Sequence, residues 1–364
     1  MSVINRLIQR RVLPGVLPSL PGVSHPVLQR LYASRGVSSA AELERGAASL
    51  LPFSALKGID AAVDLLIAAL KQQQQLVIVG DFDADGATST AVLLSGLMAL
   101  GFKRVEYLVP NRFEYGYGLT PEMAELAVAQ GAELIITVDN GISAIDGVAL
   151  AKQAGVKVLV TDHHLAGSEL PAADAIVNPN QPGCNFPSKA LAGVGVAFYL
   201  LLALRAKLRE QGHFSAAQPE PNLADLLDLV ALGTVADVVP LDANNRILVH
   251  QGLMRIRSGK CRPGIQALID VANRSAQKLT ASDFGFALAP RLNAAGRLDD
   301  MSLGISCLLA PDLGLARQYA AELDSLNVER RAIEQSMQLE AQAFLSQLSF
   351  DGSELPECLC LYRH

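Results

Sequence analysis

The chain is expected to be an α/β protein on a mostly parallel, doubly wound sheet, with an additional helical portion and a long connector helix. Three observations predict this. Short apolar runs of strand type alternate with helical runs from about residue 59 to residue 180. Four of the strand runs end in a polar signature. Half of the 364 residues are hydrophobic and only 18% are charged, which suits a sizeable core and not a disordered chain.

The elements follow in order. Apolar spacing from Ile59 to Leu70 is helical. Leu76-Val77-Ile78-Val79 reads as a buried strand, and Thr88 to Leu100 as a helix closed by Gly101. Val105 to Val109 is a strand that ends at Pro110-Asn111-Arg112. Thr120 is an N-cap with Pro121 in the first helical position, and this helix stops before Gly131. Leu134 to Val138 is the next strand, ending at Asp139-Asn140-Gly141. Ser143 with Asp146 resembles a capping box for a helix to Lys152. Val156 to Val160 is a fourth strand, ending at Asp162-His163-His164, and Ile176-Val177 leads to Asn178-Pro179-Asn180. Residues 189 to 205 read as an apolar helix whose Gly193-Val194-Gly195 entry points to close packing. Asn222 caps a helix through Leu232. Pro290 to Arg297 reads as a small-residue loop. Leu315 to Leu348 is one long helical pattern of about 50 Å, with Asn327 a candidate break. Cys358 to Tyr362 begins a strand with no sheet to join, so the chain reads as a fragment of a longer protein.

The chemistry is concentrated at the strand ends. Asp81, Asp83 and Asp85 stand at alternate positions just after a buried strand. Carboxylates that close repel one another, and a fold keeps them together with a compensating cation. Hard divalent ions prefer oxygen ligands, so a Mg²⁺ or Mn²⁺ site is expected. An EF-hand loop would need a glutamate where Val92 stands and would follow a helix. A solvated acidic turn is the bland alternative. Ligands of open α/β sheets bind at the carboxyl ends of the strands. Asp139, Asp162, His163, His164 and the Asn111-Arg112 pair therefore fall on the same edge as the three aspartates. By composition that is a two-ion site beside a phosphate-binding residue. Asp237, among apolar residues, needs a partner, either a metal or a structural hydrogen bond. Arg291 and Arg297, with Asn293, suit either a salt-bridged loop or phosphate contact.

Composition excludes other classes. A net charge of −6 argues against a protein that simply coats nucleic acid, though not against an enzyme acting on it. Five cysteines without a Cys-x-x-Cys pair read as reduced thiols in a cytosol. The longest uncharged apolar run, Ala190 to Leu204, is too short to span a bilayer, so a soluble cytoplasmic protein without membrane contact is expected. Residues 1 to 41 carry five arginines and no acidic residue. They suit a basic arm near a nucleic-acid backbone or, more simply, a segment wrapped on the core.

The ordered motifs Asp81-x-Asp83-x-Asp85-Gly86, Asn111-Arg112, Asp139-Asn140-Gly141, Asp162-His163-His164 and Gly233-Thr234-Val235-Ala236-Asp237 resemble the DHH phosphoesterase superfamily. Pro110-Asn111-Arg112, Gly193-Val194-Gly195 and Arg291-Leu292-Asn293-Ala294-Ala295-Gly296-Arg297 look specifically like its bacterial RecJ family, which are single-strand-specific 5′→3′ exonucleases. The resemblance runs from about residue 60 to 310. It implies an N-terminal segment over residues 1–58, a DHH catalytic domain over 59–310, a connector over 311–349 and the start of a DHH-associated domain over 350–364. It implies Asp83, Asp85, Asp139, His163 and Asp237 as ligands of two Mn²⁺ or Mg²⁺ ions, with Asp81 either a further ligand or a carboxylate just behind them. His164 would face the scissile phosphate, Asp162 would orient the histidines, and Asn111, Arg112, Arg291, Asn293 and Arg297 would hold DNA phosphates. A shared water between two such ions would be the nucleophile. Single-stranded DNA is the implied substrate, with a single-stranded-DNA-binding protein and a helicase as partners by analogy. A DHH enzyme of short oligonucleotides, nucleotides or pyrophosphate is the alternative. A non-catalytic replication or repair scaffold of the same fold is a second.

Overall fold

The computed structural model describes residues 9, 12, 13, 15 and 17–347. Its centre is a five-stranded, wholly parallel sheet: β1 Leu76–Val79, β2 Val105–Leu108, β3 Leu134–Val138, β4 Lys157–Thr161 and β5 Ala175–Val177. The strand order is β2-β1-β3-β4-β5. The chain moves outward from β1 to β2, then crosses back over β1 to continue on its other side. That reversal lies between β1 and β3, where the carboxyl ends of neighbouring strands open a crevice.

The register explains why each strand is apolar throughout. Leu76 and Ile78 of β1 enter the larger core with Leu134 and Ile136 of β3. Val77 and Val79 enter a second core on the opposite face with Ile135, Val158 and Val160. A parallel sheet covered on both sides needs both sets, because successive side chains point to opposite faces. A short helix, α1 Pro26–Ser34, precedes the sheet, its proline in the first turn. The larger core holds α2 Ile59–Gln72, α3 Ala84–Ala99, α6 Gly193–Glu210 and α7 Leu227–Ala236, followed by α8 Ala243–Arg257 and α9 Pro263–Val271. The second core is closed by α4 Pro121–Ala129 and α5 Ile145–Gln153.

Several local expectations change. The helix after β1 begins at Ala84 instead of Thr88, because Asp83 caps it by accepting from Gly86 N at 2.9 Å. Asp85 therefore sits inside the first turn of α3. The proposed capping box at Ser143 does not form: α5 starts at Ile145 with Ala144 as its N-cap and no side-chain cap. Thr120 caps α4 as expected, accepting from Met123 N at 3.3 Å. The segment read as a loop from Pro290 to Arg297 is helix α10, Ala289–Leu298, which continues without a break from a π-helical turn over Phe284–Leu288, and its proline stands just after that wider turn. Residues 47–58 are short turns against the body, where Leu51 N donates to Asn244.

After α11 Ser302–Leu309 comes the long helix, α12 Leu313–Gln347. Asn327 does not break it. That residue is fully buried in the middle of the helix. The first half of α12 packs on α9, α10 and α11, with Ala316, Ala320 and Leu323 buried. From Arg331 to Ser346 almost every side chain is exposed. The expected strand at residues 358–362, and Leu348, lie outside the described residues.

Ile136 lies in the middle of β3 with no exposed surface. Ile136→Ala should lower the unfolding free energy by about 3 kcal/mol through lost burial and the cavity left behind, read from urea denaturation midpoints at unchanged slope.

Candidate metal centre

The crevice at the β1/β3 reversal is where the titratable side chains converge. Asp81 leaves the end of β1 and is buried, its Oδ1 accepting from Phe82 N at 2.7 Å. Asp85 is fully buried one turn later. Its Oδ2 accepts from Gly193 N at 2.7 Å and its Oδ1 from Val194 N at 3.0 Å, so the first turn of α6 grips this carboxylate with two free backbone donors. Asp139 follows β3 with φ of +63°, a left-handed conformation uncommon outside glycine. The Tyr117 hydroxyl donates to its carbonyl at 3.1 Å. Asp237 is the C-cap of α7, and its carboxylate lies 3.4 Å from His163 Nε2.

Three overlapping candidate ligand sets result. Asp81, Asp83 and Asp139 bring carboxylate oxygens within 4.8 Å of one another, Asp85 and Asp237 do the same with a ring nitrogen of His163, and Asp139, His163 and His164 form a third set that overlaps the first two. Asp139 and His163 link the two, since Asp139 Oδ1 lies 3.1 Å from His163 Nε2 without a hydrogen bond forming between them. Both atoms are buried and have no hydrogen-bond partner. Orphaned buried acceptors are costly. Two orphans at the junction of two acidic clusters fit the donor set of a pair of hard divalent ions.

The electrostatics support the same fit. Burial, reinforced by Asp83, pushes Asp81 and Asp85 up to about 7. Burial together with Asp85 pushes Asp237 up to about 7 and holds Asp139 well above the usual carboxylate range. Burial lowers His163 despite Asp237 nearby, favouring the neutral imidazole that can ligate a metal. His164 behaves oppositely. Its Nδ1 meets Asp162 Oδ1 at 2.8 Å, and that hydrogen bond raises the imidazole to about 9. Asp162 is buried, but the His164 hydrogen bond and the Ile142, His163 and His164 backbone N–H groups around it hold it charged.

The residues expected to hold phosphate separate into two groups. Arg112 is exposed, with its guanidinium 4.7 Å above the Phe82 ring, and the Phe82 ring stacks edge-on against Tyr117. Tyr117 in turn meets His164 edge-on, which ties Arg112 to the site. Arg297 is exposed at the end of α10. Arg291 follows the salt-bridged alternative. It is nearly buried, its Nε paired with Asp324 of α12 at 2.8 Å and its Nη1 donating to Ala287 O. Asn293 uses its Oδ1 to accept from Ala84 N at 2.8 Å, and Asn111 caps its own turn by accepting from Phe113 N. These three build the frame around the site.

Two glycines matter more than their sequence context suggested. A Cβ on Gly193 would lie 2.5 Å from Asp139 Oδ1, and one on Gly233 would lie 2.8 Å from Asp85 Oδ1. The expected close packing of Gly193 is therefore packing against the site itself. Tyr117 is not evident from sequence, since one of two tyrosines alternating with glycines in a turn carries no signal that marks it.

The family model for the DHH family, N-terminal domain, matches residues 75–234, which include the site residues from Asp81 to His164 and end just before Asp237. A solved exonuclease RecJ bound to manganese superposes with a TM-score of 0.70 at 36% identity, covering 79% of this chain and 70% of that one. The chain belongs to the RecJ family of DHH proteins. The single-stranded-DNA-specific exonuclease RecJ of Escherichia coli K12 is 60% identical over 344 residues, 94% of this chain and 60% of that protein. A RecJ from Thermus thermophilus, solved with Mn²⁺, matches at 34% identity with a TM-score of 0.69, over 84% of this chain and 42% of its own. This RecJ-family chain thus spans about 60% of the length of the Escherichia coli relative.

The raised carboxyls set a stability trend for the metal-free protein. Each holds its proton to higher pH when folded than when unfolded, so the stability it lends is complete below 3.8 and is lost as pH rises through about 7. His164 runs the same way, losing its contribution through about 9, while the lowered His163 opposes them. In chelator, the melting temperature should fall between about pH 5 and about pH 8. Saturating Mn²⁺ at about pH 8 should restore it, by about 2.7 kcal/mol at a hundredfold excess over Kd. A melting temperature that rises over this range in chelator would contradict the placement of these groups.

Proposed function

We propose that the chain is the catalytic part of a Mn²⁺- or Mg²⁺-dependent exonuclease that hydrolyses single-stranded DNA from the 5′ end in repair and recombination. The observation that carries this is the pair of acidic sets joined through Asp139 and His163 at the sheet crevice. It stands in a chain 60% identical to a single-stranded-DNA-specific exonuclease. Residues 59–310 are the catalytic domain in this reading, preceded by an N-terminal segment over 1–58. Residues 311–349 are a connector and 350–364 the start of a further domain. A cytoplasmic setting, a helicase that opens duplex and a single-stranded-DNA-binding protein are the companions such a substrate calls for.

Asp81, Asp83 and Asp139 would hold one ion, and Asp85, His163 and Asp237 the other. When bound, two such ions supply Lewis-acid polarisation of the phosphate and activation of water at neutral pH. The chain's own residues then do the rest. The strained Asp139 backbone, pinned by Tyr117, fixes the junction of the two sets in advance. The buried Asp162 commits Nδ1 of His164, which keeps the imidazole protonated and leaves its Nε2–H as donor toward a phosphate oxygen. Arg112 adds a guanidinium at the rim, where its fork matches phosphate oxygens. Water attacks phosphorus and the bond from phosphorus to the 3′ oxygen breaks; the proton that water gives up balances the one the 3′ oxygen takes to leave as a hydroxyl, and positive charge from His164 and Arg112 meets the negative charge that develops. The complete ligand set counts against a non-catalytic scaffold.

A Mn²⁺-dependent time course on 5′-phosphorylated, 3′-labelled single-stranded DNA should show progressive shortening, with a blunt duplex of the same sequence intact. Asp139→Ala should lower the rate by a factor of about 10³ or more while leaving the far-ultraviolet spectrum unchanged. Near-native turnover in that variant would overturn the two-ion reading. Arg112→Ala should raise KM for DNA severalfold and reduce the slope of log binding constant against log salt by about 0.7, the value for one lost single-strand phosphate contact. An unaltered slope would remove Arg112 from the phosphate path.

A further inference from the structure

Four non-glycine residues have positive φ among the described residues: Gln73, Asp139, Val238 and Asn273. Gln73 and Asn273 lie at or just past helix ends and are polar. Val238 is different. It follows the C-cap of α7 in the left-handed conformation, φ of +61°, where glycine is the ordinary residue. A β-branched side chain is especially strained there. The strain is not repaid by burial, since Val238 is 85% exposed. Such conformations persist where the surroundings impose them, and they gather at ligand clamps. Val238 directly follows Asp237, a member of the second acidic set.

The same placement recurs twice. Phe113 directly follows Arg112 and is 72% exposed, and Leu165 directly follows His164 and is 81% exposed. Three exposed apolar side chains thus stand one residue beyond three polar groups of the site, arriving from β2, β4 and α7. Solitary exposed apolar residues need no explanation. Three in register with the chemistry, one of them on strained backbone, do.

We propose that Phe113, Leu165 and Val238 form an apolar rim that grips the bases of a single strand as its end enters the acidic crevice. This rests on the reading of the chain as a single-strand nuclease. The charge balance supports it. The chain carries a net charge of −6, so away from the ions, His164 and Arg112 it gains little from a phosphate backbone by attraction alone. Contacts to base faces carry no such penalty and suit any sequence, because every base has a π-face. Paired and stacked bases in a duplex do not offer those faces, so the rim also selects for single strands.

The test compares binding of a labelled, hydrolysis-resistant phosphorothioate strand with an abasic strand of equal length and charge. The full chain is used, in Mn²⁺, by fluorescence polarisation. The base-bearing strand should bind about tenfold tighter, and Phe113→Ala and Val238→Gly should each lower that preference about twofold to threefold. Abasic binding should change by less than twofold in the variants. Val238→Gly and Val238→Asn, which relieve the backbone, should melt about 2 °C higher than the parent chain. Equal affinity for both strands in the parent chain, or an unchanged ratio in the variants, overturns the rim. A lower melting temperature in both Val238 variants overturns the strain argument on which it stands. If the parent chain discriminates as described yet hydrolyses nothing, the nuclease reading fails while the rim holds. Hydrolysis with an unchanged ratio gives the converse.

Discussion

At least five carboxylates share one crevice, and their mutual repulsion is the constraint that the surrounding structure answers. Burial alone would protonate them, as the raised values of Asp81, Asp85 and Asp237 record. The fold offsets part of this with donors that cost no mobile side chain. The first turn of α6 points two N–H groups at Asp85, and α3 begins on Asp83. Both devices use a helix N-terminus, where unpaired donors and the peptide dipoles favour negative charge. What remains uncompensated, Asp139 Oδ1 and His163 Nε2, lies where the two acidic sets meet.

The two histidines show how neighbours only one residue apart take opposite roles. His163 turns inward, and burial keeps it neutral. His164 turns to Asp162 and stays cationic and half exposed. Asp162 controls this divergence because its oxygens also accept the backbone N–H groups of both histidines and of Ile142. Its geometry is therefore fixed by backbone before the imidazole arrives.

Much of this was legible in the sequence because it is local. Alternating strands and helices gave the parallel sheet, and residues that follow parallel strands must share an edge, so Asp81, Asp139 and His163 were placed together without a tertiary model. Asp237 was harder, since its partners lie 74 or more residues away and hydrophobic neighbours allow either a metal or a hydrogen bond. The loop reading around Arg291 and Asn293 misled for a physical reason. Small residues and a proline suggested a loop, yet alanine favours helix and the proline follows a π-helical turn within a continuous helical run. Once helical, the segment spends Arg291 on Asp324 and Asn293 on the backbone of Ala84. Tyr117 and the left-handed Val238 depend on tertiary packing and exposure, which no sequence period encodes.

Helix α10 has a role that follows from those two contacts. Through Arg291 it is fastened to Asp324 in the packed half of the long helix, and through Asn293 it is fastened to the first residue of α3, beside the aspartates. At Gly296 its backbone presses so close to Phe82 O that no side chain fits between them. It is a rigid strut with a polar joint at each end. The packed half of the long helix and the loop that carries Asp81 and Asp83 are thereby held in one connected body. The exposed half projects from that body, its far end about 35 Å from the Asp324 joint.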